Sequence, residues 1–229
     1  MCYFIGMKSI TSLPKFIYIK ISQSSVLLPV IAGLLQYKKL PAAFRVLLYF
    51  FMVAILFEIQ ASIFKRVYHN NMPGQHLYTV IEFLSYSVVF YLNFRKNSMM
   101  RRLIAVNAVV FAGVAVADAF YINGIWAPNA VSLSYSSVSI IVYSLACFYV
   151  LFQQDTLQYS WVYPMFWVST GTLIYFASNM LYFMLKRYLL IKAANIETFS
   201  LIFHDALNII ANCLFAQSFR CFGKRKTLL

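Results

Sequence analysis

The sequence predicts an all-α polytopic membrane protein, a seven-transmembrane-helix bundle with its N-terminus outside and its C-terminus inside. Three observations carry that prediction. The 229 residues are 62% hydrophobic and only 11% charged, with a mean hydropathy of +0.73, whereas a soluble domain is about 25% charged. The apolar residues gather into seven runs close to the ~20 residues that a helix needs to cross a bilayer. The formal charge of +13 comes from 19 Lys and Arg that mostly sit in short clusters between those runs, as topology anchors and lipid-headgroup contacts do. This distribution argues against a nucleic-acid partner and makes the lipid bilayer itself the partner.

The spans are expected at about 17–37, 42–64, 76–94, 102–122, 130–152, 161–185 and 196–219. The first is the most polar, since Ser22, Gln23, Ser24 and Ser25 dilute it, and Pro29 is expected to kink it. The other six are rich in Phe, Tyr, Leu, Ile and Val. Their connections, such as YKKLP, KRVYHNNMPGQ and FRKNSMMR, are too short to hold a folded domain. Residues 1–229 therefore read as one transmembrane domain without an internal repeat. The first residues lack a signal-peptide cleavage pattern, so the first span is expected to direct insertion. More Lys and Arg fall on the side of the C-terminus, with Arg101, Arg102 and Lys224 to Lys226 among them, than on the side of Lys20 and Arg66. That bias places the C-terminus in the cytoplasm. Localisation follows as a multi-pass protein of the cell inner or plasma membrane.

Cys2, Cys147, Cys213 and Cys221 show no paired spacing, so no disulfide framework is expected. Cys147 and Cys213 lie inside apolar runs and read as small buried residues. Cys221 follows the last span and reads as an inert thiol rather than a lipid-modified one.

Acids placed inside apolar segments are the main pointers to function. Of six acids, Asp155 falls in a loop and Glu197 at a helix start, where it suits the macrodipole. Glu58, Glu82, Asp118 and Asp205 lie within the second, third, fourth and seventh spans. Alternating helix direction brings all four into the half of the bundle nearer the N-terminal side, whichever way the protein is inserted. Tyr78, Glu82 and Tyr86 follow one face of the third helix at intervals of four residues. Thr172, Tyr175, Asn179 and Tyr182 form a stripe on the sixth, and Ser132, Tyr135 and Ser139 one on the fifth. Asn107 and Asp118 face one way on the fourth. His204, Asn208 and Asn212 form the stripe of the seventh helix, with Asp205 on its edge. Polar groups at such depth are expensive and turn toward a protein interior or a wet cavity.

No Lys or Arg occupies the middle of a span. The acids therefore keep their protons, bond to the Tyr, Asn and His groups, or meet a cation supplied from outside. The bland alternative is a hydrogen-bonded network that fixes helix register, and for Asp118 simple interfacial solvation. The convergence favours a ligand or ion pocket formed by Glu58, Tyr78, Glu82, Tyr86, Asp118, Tyr175, Asn179, His204, Asp205 and Asn208. Glu82 and Asp205 are expected to approach one another or to share a ligand.

Other chemistry is less well supported. His69, His76 and His204 belong to the same side, but no HxxxH or HExxH pair exists, and His69 and His76 flank the stretch NNMPGQ, read as a flexible loop. No metal site is expected. Retinal is excluded because the seventh span has no lysine for a Schiff base, and no cofactor is expected. No P-loop, GxSxG or dinucleotide fingerprint is present, and no catalytic residue is assigned.

The stretches HLYTVIEF (76–83), FWVSTGTLIYFASN (166–179) and HDALNIIANCLF (204–215) resemble small bacterial seven-helix membrane proteins of sensor or receptor type. The resemblance implies a ligand-sensing bundle that signals through a separate partner protein, and it transfers no catalytic residues. Two alternatives come from other classes. One is a membrane-embedded lipid hydrolase using His204, Asp205 and Glu82. The other is a small-solute or proton-coupled transporter using Glu58, Glu82 and Asp205 as relays.

Overall fold

The computed structural model describes residues 20–68, 70–153, 163–189 and 194–224. Among them are seven long helices and no strand. They are α1 (Lys20–Leu35), α2 (Ala42–Val67), α3 (Met72–Asn93), α4 (Ser98–Ala117), α5 (Ala130–Phe152), α6 (Pro164–Leu189) and α7 (Ala194–Lys224). Three segments are long and apolar enough to cross a membrane: Ala42–Phe64, Ser98–Ile122 and Ala130–Phe152. Their outer faces are apolar too, as with Leu56 on α2, Val109 on α4 and Val142 on α5, all exposed. Lipid, not water, suits such a surface.

Local chemistry explains where the helices depart from the expected boundaries. The break in α1 falls at Val26 rather than at Pro29. Pro29 has no N–H to offer the carbonyl four residues back, so the discontinuity opens just before it. Helix α3 starts at Met72, so within NNMPGQ only Asn70 and Asn71 lie outside the helix. Pro73 stands in the first turn, where its missing N–H costs nothing. Helix α4 ends in a π-helical turn, Asp118–Ile122, closed by Gly124 at φ 83°, a conformation that suits glycine.

Packing runs around a closed ring. Helix α1 lies against α2 and α7, α2 against α3, α3 against α5, α5 against α6, and α6 against α7. Helix α4 packs against α3 and α5, outside that ring. It is held by Phe111 stacked on Phe83 at 3.9 Å and by Asn107, which donates to the Tyr143 hydroxyl at 2.6 Å and accepts from Tyr135. Asn107 and Asp118 both face α5, as their spacing requires.

The core is aromatic. Phe51 and Phe215 lie 5.1 Å apart, Tyr86 and Phe176 5.3 Å, and Phe44 and Phe222 4.7 Å. Phe215→Ala is expected to destabilise the protein by about 3–5 kcal/mol, because it removes a buried ring that packs on Phe51 and Gly171. Val109→Ala, on the lipid-facing side of α4, is expected to change it by less than about 0.5 kcal/mol. Chemical unfolding in one detergent checks both; equal effects would show that the ring interior is not the core.

Among the cysteines, Cys147 is buried and its sulfur lies 3.5 Å from Asn93 Nδ2. Cys213 is exposed, contrary to the expectation that an apolar run buries it, because its position on α7 faces away from the ring. Cys221 is buried.

Candidate functional site

Consecutive helices alternate in direction, so one end of the bundle gathers the start of α1, the end of α2, and the starts of α3 and α5. Near this Lys20 end, all six ring helices enclose a cavity of about 320 Å³. Its wall contains Glu58, Tyr78, Glu82, Tyr86, Tyr175, Asn179 and Asn208. These are seven of the ten residues singled out from the sequence.

Glu82 is its most buried acid, at 2% exposure. Its Oε1 has no hydrogen-bond partner, and the Tyr78 and Tyr175 side chains are the polar groups beside the carboxyl. Asn179 stands beside Tyr175 in turn. A buried acceptor left unpaired is costly, and Glu82 carries one in a side chain that belongs to the cavity wall. Glu58 differs. It is exposed, and its Oε2 accepts from Gln23 Nε2 at 3.0 Å.

Carboxamides supply most of the remaining polarity, and several of them stand outside the set of residues singled out from the sequence. Gln23, Gln60, Asn71, Gln75 and Asn129 all line the cavity. Gln60 Nε2 donates to Asn71 Oδ1 at 3.1 Å, and Asn129 Nδ2 donates to Thr79 Oγ1 at 2.6 Å. The available signal was Gln60 within an apolar run. Gly74 lets this amide cluster close. A Cβ there would stand 2.7 Å from Gln60 Oε1 and 2.9 Å from Asn71 Oδ1. Gly74→Ala is expected to break the Gln60–Asn71 bond and cost about 1 kcal/mol. An unchanged melting temperature would contradict it.

The stripe of α7 finds its partners on α1. Asn208 Nδ2 donates to Ser22 Oγ at 3.0 Å, and Asn212 Nδ2 to Ser25 Oγ at 2.8 Å. The serines that dilute the first span are thus the groups that satisfy the seventh. The cavity wall does not include His204 or Asp205, which precede Asn208 by about one turn. Asp205 lies beside Ser22, and its Oδ2 is buried without a hydrogen-bond partner.

Asp118 is also off the cavity, because α4 stands outside the ring. It is fully buried and accepts from Ser132 N at 2.8 Å, Ser132 Oγ at 2.7 Å and Asn123 Nδ2 at 2.5 Å. It stitches the π-helical turn to the first turn of α5, where a helix N-terminus favours an anion. Interfacial solvation does not describe it.

His76 is a helix residue whose Nε2 donates to the Ala127 carbonyl at 3.1 Å. His69, Asp155 and the side chains of Tyr182 and Glu197 lie outside the described residues. Among the described residues, no three His, Cys, Asp or Glu groups converge on a point that would hold a metal ion.

The cavity therefore combines two carboxylates, three tyrosines and many amides with Phe50, Phe51, Phe57 and Phe215, and among the described residues its wall holds no Lys, Arg or His. Carboxylates and aromatic faces are the groups that attract positive charge. The fold and site define a helical membrane-type protein with a polar interior pocket. No protein-family model matches the chain, and neither do curated proteins or solved structures.

Proposed function

We propose that the chain is a seven-helix integral membrane protein, with the Lys20 end outside and Lys224 inside, whose cavity binds a small amine-bearing cation. In this reading it acts as a receptor-like sensor and passes the bound state to a separate partner protein. One observation carries it: two carboxylates, one of them buried with an unpaired oxygen, share a cavity whose wall has no cationic side chain among the described residues. Aromatic walls suit an ammonium ion and its apolar substituent. The likeness of 76–83, 166–179 and 204–215 to sensor-type bundles favours a receptor over a transporter. The aromatic floor of Phe51 and Phe215 also favours a blind pocket over a through path.

Phenethylamine and its neutral counterpart phenylethanol test the pocket. Purified protein is expected to bind the amine saturably and at least about tenfold more tightly than the alcohol, since a hydrogen-bonded charge pair exceeds a neutral one by more than about 1.4 kcal/mol. Equal affinities would overturn the reading. For topology, reporter fusions after Asn195 and after Leu229 are expected to report opposite sides. One side for both would contradict the odd number of spans.

A further inference from the structure

A second cavity, of about 560 Å³, lies between α1 and α2 at the Lys20 end. Its apolar wall includes Leu27, Ile59, Ile63 and Val67, all of which are exposed on the outside of the bundle. Three residues, Gln23, Val26 and Glu58, belong to both this groove and the interior cavity. The hydrogen bond from Gln23 to Glu58 stands at that junction, and Lys20 Nζ donates to Gln23 Oε1 at 3.3 Å.

The groove differs from the cavity in charge. It carries Lys20 and Arg66 as well as Glu58. Arg66 makes no hydrogen bond or ion pair among the described residues. Basic side chains near a helix end often only anchor it at the membrane boundary. Here they share one groove with a carboxylate and an apolar wall, which an anchor does not need. Arg66 is two turns beyond Glu58, about 12 Å along the axis. The long stem of an arginine can span part of that gap.

We propose that this groove binds an aminophospholipid from the bilayer. Its phosphate meets Lys20 and Arg66, its ammonium meets Glu58, and an acyl chain lies along Ile59 and Ile63. Both signs of charge on the headgroup are matched, whereas an anionic headgroup without an amine would bring only like charge to Glu58. The site goes beyond the interior pocket and shares with it only the junction residues.

The test is native mass spectrometry of detergent-purified protein titrated with dioleoylphosphatidylethanolamine or dioleoylphosphatidylglycerol. The wild type is expected to retain the ethanolamine lipid at least about fivefold better. Arg66→Gln is expected to weaken retention of both lipids by about tenfold, the worth of a charged hydrogen bond. Glu58→Gln is expected to erase the preference between them. No preference in the wild type, or an unchanged preference in Glu58→Gln, would overturn the proposal. Should Glu58→Gln fail to fold, Ile59→Trp fills the groove from an outward-facing position and removes no charge. It is expected to abolish retention of the ethanolamine lipid, and intact retention would also overturn the site. A lipid preference without phenethylamine binding sinks only the interior-pocket reading. Phenethylamine binding without a lipid preference sinks only the groove.

Discussion

Asp118→Ala is expected to lower stability by about 3–5 kcal/mol, among the largest effects of any polar substitution in the bundle. The carboxylate takes two bonds from Ser132 and one from Asn123 while fully buried. Alanine would strand those donors, and each buried donor without a partner costs about 1–3 kcal/mol. The Asn123 amide lies near the chain reversal and can turn away, which keeps the total below the simple sum. Asp118→Asn retains one acceptor oxygen and is expected to lose about half as much. Chemical unfolding in detergent measures both, and a loss below about 1 kcal/mol for alanine would refute the stitching role. Phenethylamine affinity is expected to stay within about twofold of the wild type, because α4 contributes nothing to the cavity wall.

Glu82→Gln is expected to do the reverse. Binding of phenethylamine should fall by at least about 30-fold, corresponding to ~2 kcal/mol or more for truncating one partner of a buried charge pair. Stability should change by less than about 1 kcal/mol. The glutamine keeps the shape and one carbonyl acceptor, while Glu82 Oε1 has no partner to lose. A register-fixing residue would show the opposite pattern, with a marked fall in stability and unchanged binding. The contrast between positions 82 and 118 separates the pocket acid from the stitching acid within one set of assays.

Both acids stand alike in the sequence, each a lone carboxylate in an apolar run. Hydropathy along the chain, with the alternation of helix direction, was enough to place Glu58, Glu82, Asp118 and Asp205 toward one end. The 3.6-residue period was enough to put Tyr78, Glu82 and Tyr86 on one face, and Tyr175 with Asn179 on another. The boundaries of α5, 130–152, were legible because sharp polar flanks delimit the run. The start of α3 was not, since a Pro-Gly pair reads as a turn, and only the assembled structure shows Pro73 as a first-turn residue beside a Gln60–Asn71 clasp.

Depth and facing direction are local properties, and the sequence by itself determined them. Which helix stands next to which is decided by long-range packing, and that depended on the tertiary structure. Helix α4 lies outside the ring, anchored by Phe83 on Phe111, so Asp118 bonds to α5 instead of reaching the cavity. Helix α1 closes the ring against α7, so Ser22 and Ser25, which look like weak points of a span, become the partners of Asn208 and Asn212. Those pairs are 186 and 187 residues apart in the chain. No pattern within a helix-length window registers such a pairing, because the free energy that selects it is that of satisfying buried polar groups across helices.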